Sequence, residues 1–312
     1  MFKKLPKNKY FLAPLAGIND PAFRLACQEQ GAGLTYTELT SIDYIYSEKQ
    51  KALNEIKKDT RERCVGLQLF GKKPEKIKET IELIDDKFEF YDFNSGCPAN
   101  NILGQGAGGE LMGNPKLLIE MLEKIIKHTN KPVTLKYRLG LNKHKENFLE
   151  IGKQAEDIGI DMITLHARHV NQRYSGTAKW DRIKKIKEKL NIPITGNGDI
   201  KKPEDAKKMM NNTKCDYTMI GRWARGNPYC FKQLIEYEKK GKYEEIKPAT
   251  KLKGFLKYAQ DAKEREVGFA RIKIHAMQYT KGITGSVELR KKIAKSKNRE
   301  QIIKSFKDFI KK

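Results

Sequence analysis

A chain of 312 residues with 38% hydrophobic and 33% charged residues can bury a large core in one domain or two, and its composition excludes a disordered protein. No apolar run is long enough to span a bilayer, and the lysines of the opening MFKKLPKNKY have no apolar stretch behind them, so it does not read as a secretory leader. The formal net charge is +24, and residues 241–312 alone carry 20 basic against 8 acidic side chains. Half of the excess thus lies in less than a quarter of the chain. That favours a polyanionic partner, nucleic acid before a membrane surface, over lysine spread evenly on solvated helices.

The elements alternate from the start. Residues 10–14 read as a short strand, and Asp20-Pro21 as an N-cap with proline at the first helical position of a helix to residue 30. Strand 34–39, helix 41–50, strand 64–70, helix 74–85 and strand 88–93 follow, then helix 115–128, strand 133–138, helix 146–158, strand 162–168 and helix 180–190. Strand 192–195 leads to a helix opening at Pro203, and strand 217–221 to one opening near Pro228. Eight strands alternating with eight helices is the count of a closed (β/α)8 TIM barrel rather than an open doubly wound sheet. Beyond residue 240 the strand signal stops. Residues 250–262, 269–281, 288–297 and 299–311 read as helices, so the expected architecture is a barrel over 1–240 and a small all-helical domain over 241–312.

Side chains at the C-terminal ends of barrel strands converge on one mouth. Here they are Pro14-Leu15-Ala16, Glu38, Gln68, Asn94 with Cys97, Lys136 with Arg138, His166 with Arg168, Asn197-Gly198-Asp199 and Gly221-Arg222. One polar residue at a strand end means little, but a set at nearly every strand end points to a site. The glycine turns after the seventh and eighth strands, with Arg222, suit a phosphate approached by backbone N–H groups. Gln68 offers donor and acceptor together to a flavin pyrimidine edge. Lys136 suits the ring edge where negative charge collects on reduction. Alternation puts Lys136 and Arg138 on one strand face. His166, sharing its face with Arg168, reads as a cofactor or substrate contact.

The five cysteines are odd in number, scattered and without CxxC spacing. They read as reduced thiols of a cytoplasmic protein, with neither a disulfide framework nor a metal site. Four of them read as packing. Cys97 differs: it follows a glycine, precedes a proline and opens the glycine-rich stretch of YDFNSGCPANNILGQGAGGELM. An unperturbed thiol, with a pKa of about 8.5, is mostly protonated at neutral pH, which suits a proton donor better than a nucleophile. The glycines after it (Gly104, Gly106, Gly108, Gly109) read as the hinge of a mobile lid.

The blocks APLAGINDPAFR, YTELTS, GLQLFG, DFNSGCP with GAGGELM, VTLKYRLG, HARHVNQRYSGTAKW, ITGNGDI and MIGRWARGNP, in this order, resemble the tRNA-dihydrouridine synthases over almost the whole chain. The resemblance implies an FMN-containing barrel followed by a helical tRNA-binding domain. It implies reduction of the uridine C5–C6 double bond in tRNA, with hydride from flavin N5 to C6, a proton from Cys97 to C5, and NADPH or NADH reducing the flavin. It places Pro14, Leu15, Ala16, Gln68, Lys136, His166, Asn197, Gly198, Asp199, Gly221 and Arg222 on FMN, and Asn94, Arg138 and Tyr174 on the uracil. A monomer is expected, with no membrane and no metal. The chain departs from the family pattern at Asn101, Gln105, His169 and Trp223. A free-pyrimidine flavoprotein resembling dihydroorotate dehydrogenase shares barrel, FMN and an acid–base residue on a similar loop. A non-catalytic RNA-binding barrel is the third reading. The basic tail and the His-x-Arg…Tyr-x-Gly block favour the tRNA enzyme over both.

Overall fold

The computed structural model describes Pro6, residues 8–84 and residues 87–311. The opening MFKKL, Lys7 and the final residue of the helix expected over 74–85 lie outside the described residues. Strands β1 (Tyr10–Leu12), β2 (Thr35–Tyr36), β3 (Thr40–Ser41), β4 (Val65–Phe70), β5 (Phe90–Ser95), β6 (Val133–Arg138), β7 (Met162–His166), β8 (Ile194–Asn197) and β9 (Tyr217–Ile220) form one parallel sheet. β1 pairs with β9, and from β9 the order runs stepwise back to β4. Phe11 bridges Leu34, with the Leu12 N–H donating to the Leu34 carbonyl at 3.0 Å and the Gly33 N–H to Tyr10 at 2.9 Å. The ring is therefore closed, as the alternation predicts.

The second barrel strand differs from the expected continuous run over 34–39. It is split into β2 and β3, both paired with β4. The Thr37 hydroxyl takes the Gln68 N–H at 3.0 Å, and Glu38 leaves the ladder to accept the Gly17 N–H at 2.9 Å. The helix expected over 41–50 is likewise two, α2 (Ile42–Ser47) and α3 (Lys49–Glu55), broken where Glu48 takes φ −113° and ψ 41°.

α1 (Pro21–Glu29) starts as the sequence requires, with the Asp20 carboxylate accepting the Phe23 N–H at 3.0 Å. α4 (Ile77–Ile84) follows β4. The loop after β5 contains α5 (Asn100–Leu103) and a 3-10 turn, Gly108–Gly113. α6 (Pro115–Lys127), α7 (Phe148–Asp157), α8 (Trp180–Lys187), α9 (Pro203–Thr213) and α10 (Cys230–Lys240) complete the outer layer. Strand alternation divides the two faces. Tyr137 points outwards, donating its hydroxyl to the Phe148 carbonyl at 2.7 Å, while its neighbours Lys136 and Arg138 point to the mouth.

The tail forms α11 (Pro248–Glu264), α12 (Phe269–Tyr279), α13 (Val287–Lys295) and α14 (Arg299–Ile310). Its aromatic centre stacks Phe255 on Phe306 at 4.0 Å, beside Tyr258 and Tyr279. These residues belong to the same continuous apolar core as the barrel. Docking is also polar. Asp20 accepts the Tyr258 hydroxyl at 2.9 Å, and His275 Nε2 lies 3.1 Å from Asp20 and 3.0 Å from the Ile18 carbonyl. Arg265 pairs with Asp59 at 2.5 Å, and Arg271 with Glu38.

Burial alone would raise the Asp20 carboxyl. The His275 hydrogen bond and charge, the Phe23 N–H and the Tyr258 hydroxyl instead hold it below its ordinary 3.8. A carboxyl depressed by folding contributes stability that is complete above its unfolded pKa and is lost as pH falls through the folded value. Asp20→Asn should therefore destabilise the protein by about 1–3 kcal/mol at pH 7. The gap from wild type should shrink below about pH 4 in urea unfolding. A gap of the same size at pH 2 and pH 7 would contradict this role.

Candidate active site at the barrel mouth

A cavity of about 690 Å³, within the usual range for ligand sites, opens at the C-terminal ends of the strands. Pro14, Leu15 and Ala16 enter from the turn after β1, Asn94 and Cys97 from β5 and its loop, and Lys136 and Arg138 from β6. His166 and Tyr174 come from β7 and its loop, Asn197, Gly198 and Asp199 from β8, and Gly221 and Arg222 from β9. Gln68 is the exception among the expected residues. It is fully buried one layer below, its Nε2 donating to Asp92 at 2.5 Å and its Oε1 accepting from Asn94 Nδ2 at 3.0 Å. Its amide keeps one N–H and one oxygen lone pair beyond these two bonds.

Cys97 is half-buried. Its loop is fixed at the turn, because Asn94 Oδ1 accepts the N–H groups of both Gly96 (3.1 Å) and Cys97 (2.9 Å). The segment that follows, where the sequence suggests a glycine-hinged lid, is packed against its neighbours at Gly108 and Gly109. The Gly109 N–H returns to the Cys97 carbonyl at 3.0 Å, and Ile102 and Ala107 pack on Phe70. A Cβ on Gly108 would meet Ile102 at 2.7 Å, and one on Gly109 would meet Val170 at 2.7 Å. These glycines allow close packing around the thiol. Cys27, Cys215 and Cys230 are buried, as packing residues are.

The cavity is cationic. Lys136, Arg138, Arg173, Lys201, Arg222 and Arg225 line it, against Asp199 as the one acidic residue among the described lining residues. Burial, then the charge of Arg138, pushes Lys136 down from its ordinary range, while burial pushes Asp92 beneath it up. Burial, followed by Arg138, Lys136, Arg168 and Arg222, holds His166 well below its ordinary value, so its ring is neutral at pH 7. Asp199 adopts φ 60° and accepts Arg168 at 2.6 and 2.7 Å, Arg222 at 3.2 Å and the Ala178 N–H at 2.7 Å. Burial would raise its carboxyl, but these donors, Arg168 foremost, bring it below the ordinary range. Lys136 Nζ reaches Asn197 Oδ1 at 3.3 Å, and Asn197 Nδ2 is held by the Met219 carbonyl at 2.8 Å. Gly198 has φ 128°, and a Cβ there would meet Ala178 at 2.8 Å, so no larger residue fits.

Arg138 is almost completely buried, and its guanidinium is engaged by backbone. It donates to Gly96 at 2.7 Å, His169 at 2.9 Å and Arg173 at 2.8 Å. Exposed Tyr174 lies between Arg138 and Arg222, 5.7 and 5.5 Å from its ring centre, and 6.4 Å from the His166 ring. His169 pairs with Glu146 at 2.8 Å. Burial would push the Glu146 carboxyl up, but Arg182, His169 and Lys179 pull it down to about 2. Trp223 forms part of the cavity wall. Sequence reading missed Asp92 and Arg173. Asp92 was within reach, two residues before Asn94 on the same strand face. Arg173, at φ 51°, carries no signal in the sequence. Among the described residues, no group of three or more histidine, cysteine, aspartate or glutamate side chains is placed to hold a metal ion.

The closed barrel and the cationic cavity holding a thiol at its mouth define a (β/α)8 enzyme acting on an anionic ligand. The dihydrouridine synthase family model matches residues 11–312. The tRNA-dihydrouridine synthase B of Pasteurella multocida is 38% identical over 229 residues, covering 73% of this chain and 69% of that protein. That of Vibrio parahaemolyticus is 32% identical over 251 residues, covering 80% and 78%. The chain belongs to the dihydrouridine synthase family, and with it is an oxidoreductase that forms dihydrouridine. Among solved structures, an old yellow enzyme homologue from Zymomonas mobilis matches at TM-score 0.56 with 14% identity, covering 79% of this chain and 92% of that one. Histamine dehydrogenase from Rhizobium sp. 4-9 matches at 0.56 with 14% identity, covering 81% and 49%. At such identity these share the fold.

Arg138→Ala should remove three backbone anchors at once. Amide hydrogen exchange across residues 96–100 and 169–176 should accelerate by about tenfold or more, while the barrel strands keep their protection. Unchanged exchange in both segments would show that Arg138 does not hold them.

Proposed function

We propose that this protein reduces the C5–C6 double bond of uridines in tRNA, with FMN held in the barrel mouth and NADPH as the source of electrons. The observation that carries the reading is one cavity holding a half-buried thiol among six cations and a single carboxylate. That donor set fits FMN. A phosphate dianion is matched by Arg222 and the N–H groups that open the 3-10 turn Arg222–Ala224, and Gly198 leaves room where a Cβ would not fit. Lys136, His166 and Asn197 face the place of the ring, and Pro14-Leu15-Ala16 wall it. Asp199 holds Arg168 and Arg222 in place. Gln68, buried beneath the site, keeps one N–H and one lone pair for the pyrimidine edge of the ring.

Held there, FMN would supply hydride chemistry at C6 of the uracil, with NADPH as the source of its electrons. Cys97 gives its thiol proton to C5. Lys136 and Arg138 line the same cavity as cations facing the sulfur once the proton has left. Asn94 fixes the Cys97 turn and faces the cavity, where it contacts the uracil together with Tyr174. Arg138 orients the two loops that flank the base. The target uridine must leave its stack to enter. Residues 241–312, with their excess of cations, hold tRNA by phosphates and shape. No described helix is long and apolar enough to cross a membrane. Unpaired cysteines fit a reducing, cytoplasmic setting, and the protein acts as a monomer.

Mapping dihydrouridine across tRNA from cells with and without this protein tests the reading; identical maps would refute it. Cys97→Ala should keep bound, reducible flavin but lower dihydrouridine formation by about 10²–10⁴-fold, measured in single turnover. Full activity would remove Cys97 from the mechanism. Exposed Lys291, Lys292 and Lys295 on α13 give a test of the tail. Changing all three to glutamine should weaken tRNA binding and flatten its log–log salt slope by about 2–3. An unchanged slope would make that charge incidental.

A further inference from the structure

Interior positions of a barrel strand usually take branched apolar residues, yet β5 carries a fully buried carboxylate, Asp92, below the cavity floor. Asp92 Oδ1 accepts the Thr134 hydroxyl at 2.6 Å and Oδ2 accepts Gln68 Nε2 at 2.5 Å. Gln68 Oε1 must then face Asn94 Nδ2, at 3.0 Å, which turns Asn94 Oδ1 to the N–H groups of Gly96 and Cys97. One end of this row is an ionised carboxylate, which only accepts, and the other is a pair of backbone N–H groups, which only donate. Only one orientation of the two amides satisfies both ends.

The geometry points to Asp92 as a positioning residue for Cys97: through Gln68 and Asn94 it fixes the turn that aims the thiol. Asp92 does not line the cavity and lies one strand layer from the reacting atoms, so it acts by the direction of its hydrogen bonds. A row that loses its accepting end lets Gln68 rotate. Asn94 then loses the partner that holds its Nδ2, and the aim of the Gly96-Cys97 turn rests only on its backbone anchors, Arg138 on the Gly96 carbonyl and the Gly109 N–H on the Cys97 carbonyl. Small displacements of a proton donor have large effects on rate. The inference rests on the reading of Cys97 as the acid in dihydrouridine formation.

The test compares flavin-loaded full-length enzyme with Asp92→Ala, Gln68→Met and Asp92→Asn. Asp92→Ala empties a buried site, so Gln68→Met, which keeps volume and removes the middle link, is its companion. The Cys97 alkylation rate with iodoacetamide is read by peptide mass spectrometry, alongside kcat and KM for tRNA. Asp92→Ala and Gln68→Met should each raise alkylation about threefold or more and lower kcat about tenfold or more, with KM for tRNA within about twofold. Asp92→Asn keeps an acceptor for Gln68 Nε2, while its own amide donates to the Thr134 hydroxyl. It should stay within about threefold of wild type in both readouts. Unchanged alkylation in both breaking variants would overturn the inference. So would an Asp92→Asn enzyme that behaves like Asp92→Ala, because charge rather than hydrogen-bond direction would then be what Cys97 needs. Alkylation needs no turnover, so a wild-type enzyme that forms no dihydrouridine would refute the proposed function and leave this measurement interpretable.

Discussion

The site depends on the buried guanidinium of Arg138. Three carbonyls from two loops converge on it: Gly96 before the cysteine, and His169 and Arg173 from the loop after β7. Backbone bonds fix other points of these loops, the Val170 N–H on Gly140 and the Gly109 N–H on the Cys97 carbonyl, and Arg138 joins the two loops to one another. Because Arg138 belongs to a strand, the loops inherit the precision of the sheet. Burial of the guanidinium draws its pKa down to about 10, still far above neutrality, so the clamp stays charged across the physiological range.

Crowding cations has a consequence for the neutral groups among them. His166 cannot take up a proton next to Arg138, Lys136, Arg168 and Arg222, so it stays a neutral donor–acceptor. Lys136 is pushed the same way, and only the buried Asp92 below and Cys97 beside it favour its charged form. Six cations around one carboxylate among the described lining residues favour an anionic ligand, and any such ligand that binds the folded site stabilises the mouth by mass action.

Much of this was legible in the chain. Alternation in VTLKYR fixes which side chains face the mouth, and Asp20-Pro21 marks the start of α1 to the residue. The closed barrel follows from counting strands. Two classes of feature were not legible. Side-chain intrusions into the backbone ladder, such as Thr37 and Glu38, break a strand that pattern alone draws as continuous. Glycines also read the same whether they hinge or pack; Gly108 and Gly109 are closed in by Ile102 and Val170, and no spacing in the chain says which neighbours a glycine will meet. Gln68 shows a third limit. Sequence places it at a strand end, but its bonds to Asp92 and Asn94, one layer below the cavity, join residues that no local pattern links.

The tail is joined to the barrel by more than a linker. Asp20, which starts α1, also receives Tyr258 and His275, and Glu38, which holds the Gly17 N–H beside the cavity wall, receives Arg271. A Cβ on Gly226, just past β9, would meet the backbone of Gln278 on α12 at 2.4 Å, so the two units touch main chain to main chain. A tail from a distant relative would arrive without the matching α1 cap, the β2 carboxylate or the bare backbone at Gly226. The inner faces of α11 and α12 are tied to the barrel in this way, while the outer face of α13 keeps its lysines exposed.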